Sequence, residues 1–359
     1  MNKRIIFLDL IRAFAVLMMV QGHTIDMLLS NQFRDSNSFI YYGWNFMRGM
    51  TAPIFLFTAG TVFTYLFILQ NKKAKENPRF KKGLKRFLLL VFLGYLIHYP
   101  TATLIDFSAV TGKQLKDFFA VDVLQLIGFG ILFLIILLYL SEKIKIKPTY
   151  LFFTFGFLFI FLNPVVQSID WNSFLPLQIA GYFYSGTGSN FPLFPWCSYL
   201  FFGGILGYHL ATHTGGHKKP KFGISIFLIG VLLIISAFIG DRIEIAFNGS
   251  SDFWGNSPNL ILYRLGIVLI LNSIFCLVAV KVTKIPSLII LIGRHTLLIY
   301  VIHLIILYGS AWNLGINIFV AESLDMWKSI GAAIIMILLM IGIVISIRMI
   351  KLNTNIKTN

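Results

Sequence analysis

The stretch RIIFLDLIRAFAVLMMVQGHTIDML, residues 4–28, decides the fold class. It is longer than the roughly 20 apolar residues that carry a helix across a bilayer, yet it holds Asp9, Arg12, His23 and Asp26. A helix turns about 100° per residue. With Asp9 at the origin, Arg12 falls near about 300°, His23 near about 320° and Asp26 near about 260°. The four ionisable residues therefore share one arc about 100° wide, and Gln21 and Thr24 fall outside it. Ionisable groups are costly against lipid, so such a stripe must face protein.

The rest of the chain repeats the apolar theme. Of 359 residues, 57% are hydrophobic and only 12% charged, and the mean hydropathy is +0.81. Soluble domains carry about 25% charged residues. A soluble enzyme, a disordered chain, a coiled coil and a secreted disulfide scaffold are all excluded. The expected fold is all-α and polytopic, a single integral-membrane domain with ten transmembrane helices. They are expected at 5–29, 47–70, 84–105, 118–140, 149–168, 192–212, 222–240, 258–280, 286–308 and 327–349. The first is too long for a signal-peptide core, contains charges and lacks a small-residue cleavage site, so it is expected to be a retained helix.

The net charge of +16 sorts by segment. Of 30 Lys and Arg residues, 21 fall at the N-terminal and C-terminal ends and in alternate loops. The 71–86 segment alone holds eight of them. Most acidic residues fall in the other loops. By the positive-inside rule both termini are cytoplasmic. The basic surface then reports orientation and contact with anionic membrane lipid rather than nucleic acid. Arg12, Arg264 and Arg294 are different, because they sit inside apolar segments where topology does not explain them.

On the first helix, Arg12 and His23 are separated by about 16 Å. Asp26 lies three residues beyond His23, within side-chain reach. A carboxylate beside an imidazole fixes its tautomer and raises its basicity, which makes His23 with Asp26 a candidate general base. A buried polar cluster that only packs helices is the competing reading, and for Asp9 and Arg12 a structural ion pair stands equally.

These residues carry a resemblance. RIIFLDLIRAFAVLMMVQGH (4–23) resembles the first helix of the membrane acyltransferases, both the acyltransferase-3 group and the heparan-α-glucosaminide N-acetyltransferase-like group. Those have an arginine, ten residues, then a polar catalytic residue, commonly histidine. MRGMTAPIFLFTAG (47–60), DVLQLIG (122–128), FPLFPWCSYLFFGGILGYHL (191–210) and LIGRHTLLIYVIHL (291–304) resemble later motifs of the N-acetyltransferase-like branch, in order. The resemblance implies that acyl-CoA, usually acetyl-CoA, enters from the cytoplasm as co-substrate, with no permanently bound cofactor. Its pantetheine arm threads the helices, and the acyl group passes to a carbohydrate or lipid-linked acceptor of the cell envelope. Arg12, with Asp9, would contact the CoA end. His23 would serve as general base or as acyl carrier. Animal members have asparagine at the His23 position and a functional histidine in the following loop. Residues 30–45 contain no histidine, which favours a bacterial-type arrangement in the inner membrane.

Other residues divide between roles. Arg294 is a candidate for CoA phosphates or pantetheine amides, or for an ion pair. Arg48, Asp122, Gln125, Arg264 and His303 are candidates for the acceptor. Arg48 also reads as an interfacial anchor, Asp122 and Gln125 as interfacial polarity, and His303 as an interhelical hydrogen bond. Arg264 needs an acidic partner or a ligand, and His98 reads as structural. His209, His213 and His217 tempt a metal reading, but Thr214-Gly215-Gly216 breaks their helix and no acidic ligand is near, so no metal is expected. Cys197 and Cys276 are expected to be small buried residues. Asn248-Gly249-Ser250 is a glycosylation sequon. The loop 169–191 reads as a connection or as cover for an outer pocket. The expected partners are acyl-CoA, the acceptor, membrane lipid and a second copy in a homodimer. The competing functions are a secondary transporter using His23, Asp26 and the buried arginines, and a glycosyltransferase with Asp35 as base.

Overall fold

A computed structural model describes residues 5–35, 37–104, 106–282 and 284–357, the last seven by backbone alone. Lys3 and Arg4, counted among the basic residues above, lie outside the described residues.

The helices in chain order are α1 (Ile6–Leu28), α2 (Phe39–Gly49), α3 (Thr51–Ile68), α4 (Pro78–Ile97), α5 (Gly112–Phe119), α6 (Val123–Lys143), α7 (Pro148–Phe161) and α8 (Asn163–Ser168). They continue as α9 (Leu177–Ala180), α10 (Leu193–Thr212), α11 (Pro220–Asn248), α12 (Pro258–Lys281), α13 (Ser287–Arg294), α14 (Thr296–Tyr308), α15 (Asn317–Val320) and α16 (Met326–Lys357). Two two-residue strands, Gly309–Ser310 and Asn313–Leu314, close a hairpin after α14. The chain is thus the all-α polytopic protein that composition predicts.

Among the described residues, seven helical stretches are long and apolar enough to cross a membrane, and the bent pair α13 and α14 makes an eighth. The other two of the ten expected spans are α4 and α10, each of 20 residues. Basic residues load the start of α4, from Arg79 to Arg86. Pro195, Trp196, Tyr199, His209 and several glycines dilute α10.

Several expected boundaries move, for local reasons. The segment expected at 84–105 begins at Pro78, because the Asn77 side chain caps the Arg79 amide and proline is preorganised for a first turn. It ends at Ile97, so much of the basic 71–86 loop is helix. The segment expected at 118–140 is two helices, each opened by its own capping box: Thr111 with Gln114, and Asp122 with Gln125. The 47–70 segment is interrupted at Met50, between α2 and α3. The 222–240 segment lengthens to Asn248, which puts the glycosylation sequon at the end of α11, where Gly249 adopts the left-handed conformation.

The described residues fall into two units. The first comprises Met1–Thr51 with Val282–Asn359. Here α2, α13, α14 and α16 pack on α1, and Ile11, Ala15, Val16 and Val20 of α1 are fully buried. The second comprises Ala52–Lys281. In it α4 packs on α6, α6 and α7 pack on α10, and α11 packs on α12. Gly203 and Gly207 of α10 press on the carbonyls of Phe57 and Thr61, where an added Cβ would collide with backbone. Small residues four apart let two helices approach this closely in a membrane, where dispersion contacts rather than water hold them together.

Candidate functional site

The first unit gathers most of the singled-out residues on α1. Two of them meet the same neighbour. Arg12 Nη2 donates to Thr296 Oγ1 at 3.0 Å. His23 Nδ1 lies 3.2 Å from Tyr308 Oη. Thr296 is the first residue of α14 and Tyr308 the last. Arg12 and His23 are about 16 Å apart along α1, and the ends of α14 are separated by about 18 Å. So α14 runs beside α1 in the same direction, and Arg12 and His23 of the polar stripe face that seam. Gln21, outside the stripe, accepts from Trp44 Nε1 of α2 at 2.9 Å, and Thr24 donates to the Val20 carbonyl of its own helix.

A second histidine closes the His23 end. The His303 ring stands edge-on to His23 with centroids 5.5 Å apart. His303 is fully buried, and its Nδ1 donates to the Ile299 carbonyl at 2.8 Å. A carbonyl only accepts, so Nδ1 carries the proton and the neutral ring has a bare Nε2. That Nε2 has no hydrogen-bond partner. His303 was expected as an acceptor contact or an interhelical hydrogen bond; it stands against His23.

At the other end the expected single span 286–308 is broken. α13 and α14 meet at 71° across His295. His295 Nδ1 donates to the Leu291 carbonyl at 2.9 Å, giving a carbonyl at the break a partner. Gly293 lies against the Asp9 carbonyl with no room for a Cβ, so α13 touches the α1 backbone there. Asp9 is buried and Arg294 is exposed at the bend.

Asp26 faces another way. Its Oδ2 is 2.5 Å from Arg48 Nη1, and its Oδ1 is 3.9 Å from Arg34 Nη1. Gly22 lets the Arg48 stem cross α1, since a Cβ there would meet Arg48 Cγ. Arg48 also lies over the Trp44 ring. Arg34 donates to the Asp26 and Leu29 carbonyls and stands 3.8 Å from Glu322. Segment 322–324 hydrogen-bonds to residues 27–30 and ties the end of α1. The carboxylate expected to orient His23 is thus engaged by two arginines, and the hydrogen bond at His23 Nδ1 goes to Tyr308.

In the second unit, Asp122 and Gln125 form the capping box that starts α6, with His98 Nε2 at 3.6 Å from Asp122. Of the two alternatives expected for Arg264, an acidic partner or a ligand, the first is absent among the described residues of its unit. Its guanidinium lies over the Trp196 ring, 5.9 Å from the centroid. Cys197 and Cys276 are buried and free, as expected. His209 and His213 stack at 4.4 Å, but α10 ends at Thr212 and Gly215 turns left-handed. Among the described residues no His, Cys, Asp or Glu group is arranged to hold a metal. In the 169–191 loop, Tyr184 donates to Asp170 at 2.7 Å and Trp171 stacks on Phe183. The loop is clipped to itself.

Sequence reasoning missed Tyr308, Thr296, Arg34 and Glu322. Thr296 lay inside a quoted motif. Nothing local marks the other three, because each acquires its meaning from a residue far along the chain.

Residues 5–349 match the family model described as "Acyltransferase domain". A search of curated proteins finds no significant match.

Proposed function

The chain belongs to this acyltransferase family, and from that premise we propose a transmembrane enzyme that moves an acyl group from cytoplasmic acyl-CoA, acetyl-CoA first, to a carbohydrate or lipid-linked acceptor of the cell envelope. Both termini are taken as cytoplasmic, as the basic loops suggest, and the setting as a bacterial inner membrane, the arrangement favoured by the lack of histidine in residues 30–45. One observation carries the reading. Arg12 and His23, about 16 Å apart, are held along one seam by opposite ends of α14. An extended thioester arm needs a track of this length, with a cation for its anionic end and a base at its reactive end.

In this scheme Arg12 and the exposed Arg294 receive the CoA end, while Asp9 sets the local charge. His23 takes the proton from the acceptor hydroxyl or amine as that oxygen or nitrogen attacks the thioester carbonyl; the C–S bond then breaks, and the CoA thiolate leaves and takes up the proton from His23. Attack on the thioester by His23 itself, with the acyl group carried on the ring, is the other route. Tyr308 fixes the His23 ring. Arg48 and Asp26 hold the entrance of α1 near it. Acceptor contacts from Asp122, Gln125 and Arg264 remain part of the proposal.

The test uses purified full-length protein with radiolabelled acetyl-CoA. Acyl transfer or hydrolysis in the wild type that vanishes in His23→Ala supports the enzyme. Absence of acyl-CoA binding at micromolar concentration overturns it and leaves the transporter reading.

A further inference from the structure

We propose that Arg264, Trp196 and Tyr199 of the second unit form a binding site for a phosphate-type oxyanion. The proposal rests on the geometry around Arg264 and holds whether or not that residue also contacts an acyl acceptor. It starts from where Arg264 sits, in the apolar run LILYRLGIVLIL (260–271) of α12, a helix long and apolar enough to span a membrane. Leu260, Ile261, Leu262, Leu265 and Val268 around it are buried. Arg264 lies about 9 Å along the axis from Pro258, well inside the helix. A guanidinium in such a place needs a counter-charge. Its own unit supplies none among the described residues. Its one aromatic contact, with Trp196, offsets only part of the cost of leaving water.

Tyr199 adds a second unmet demand at the same place. It is fully buried beside the Arg264 guanidinium, which can only donate, so the hydroxyl finds no acceptor for its own proton. Tyr199 is three residues after Trp196 on α10, so the two share a helix face. A cation without an anion and a buried hydroxyl without an acceptor therefore stand together. One oxyanion answers both. The guanidinium offers two parallel N–H groups and the phenol a third donor. Three neighbouring donors suit the tetrahedral oxygens of a phosphate ester. A neutral sugar would serve the hydroxyl and leave the charge unmet. Arg264 and Trp196 are half-buried while Tyr199 is the floor, so the place is open on one side. The phosphate can belong to an anionic lipid headgroup or to a soluble phosphate ester.

The experiment titrates purified full-length protein with two probes and follows thermal stabilisation and native mass spectra. One is phosphatidylglycerol in phosphatidylcholine nanodiscs; the other is glycerol 3-phosphate in solution. At least one probe is expected to bind the wild type. Arg264→Gln should weaken that binding about tenfold or more and Tyr199→Phe about threefold to tenfold, as loss of a charged and of a neutral donor. Arg264→Lys should keep part of it. Arg242→Gln, at an exposed position, should leave it unchanged. Response to the lipid alone identifies a headgroup site, and response to the ester alone a solute site. If Arg264→Gln does not fold, Tyr199→Phe and Arg264→Lys carry the comparison. Equal binding by wild type and all three site variants, or no binding of either probe to wild type, overturns the proposal.

Discussion

His303 and His23 stand edge-on to one another with ring centroids 5.5 Å apart, one fully buried and the other half-buried on the α1 stripe. The tautomer of His303 is set by the Ile299 carbonyl, which leaves its bare Nε2 in the cluster. If His23 handles the acceptor proton, His303 packs against the ring that carries it and helps to fix its position. His303→Leu is therefore expected to lower kcat about tenfold with KM nearly unchanged and with an altered pH profile. His23→Ala should cost about a hundredfold or more, the usual scale of a positioned general base. A His303 that only packs would reduce folded protein and leave kcat per folded molecule unchanged.

Tyr308 meets His23 through a hydrogen bond of 3.2 Å. Such bonds contribute about 1 kcal/mol net, or roughly a fivefold effect. Tyr308→Phe should lower kcat by about that factor and leave acyl-CoA affinity alone. An affinity change without a kcat change would place Tyr308 on the donor path instead.

The Arg48–Asp26 pair is about one-third exposed on each side, so solvent screens it and its contribution should be about 1 kcal/mol. Arg48→Ala and Asp26→Asn should each lower Tm in detergent modestly. The double variant should lower it by less than the sum, because the two act through one contact. Gly22→Ala should resemble Arg48→Ala, since its methyl displaces the Arg48 stem. Full additivity would show that the pair is uncoupled.

Gly293→Ala tests the bend. The new methyl meets the Asp9 carbonyl and pushes α13 from α1. Overpacking of this kind costs about 1–3 kcal/mol. Because α13 leads directly into Thr296, the Arg12–Thr296 bond should loosen too, and acyl-CoA binding should weaken together with Tm. An unchanged KM would separate the bend from donor binding.

The 169–191 loop should respond to acid. Hydrogen bonds from Tyr184 and Ser173 hold the Asp170 carboxyl below its ordinary value of 3.8. A depressed folded value adds stability that is fully present above the ordinary value and fades as pH falls through the folded one. Hydrogen exchange in this loop should stay slow at neutral pH and rise only below about pH 4. In Tyr184→Phe the onset should move upward. A loop equally protected at pH 3 would contradict the linkage.

Much of this architecture is readable locally. Apolar length marks most spans, and helical periodicity puts Arg12 and His23 on one face. The breaks were harder, although Asn77-Pro78 and the two capping boxes are sequence signals that explain α4, α5 and α6 after the fact. The bend at His295 has no proline and no local mark, because packing of Gly293 on Asp9 accompanies it. Asp26 illustrates the opposite error. Proximity along the helix suggested His23, but two arginines reach the carboxylate, and each carries a fixed positive charge.

The sequence by itself determined the membrane class, the polar stripe and the short list of misplaced charges, because hydrophobicity and helical pitch are properties of neighbouring residues. Tertiary structure alone decided what each charge meets. Thr296 reaches Arg12 across 284 positions and Tyr308 reaches His23 across 285. Nothing in local periodicity selects such partners. They follow from which apolar faces bury each other, and at Gly293 and Gly22 from where the backbone leaves room for a neighbour.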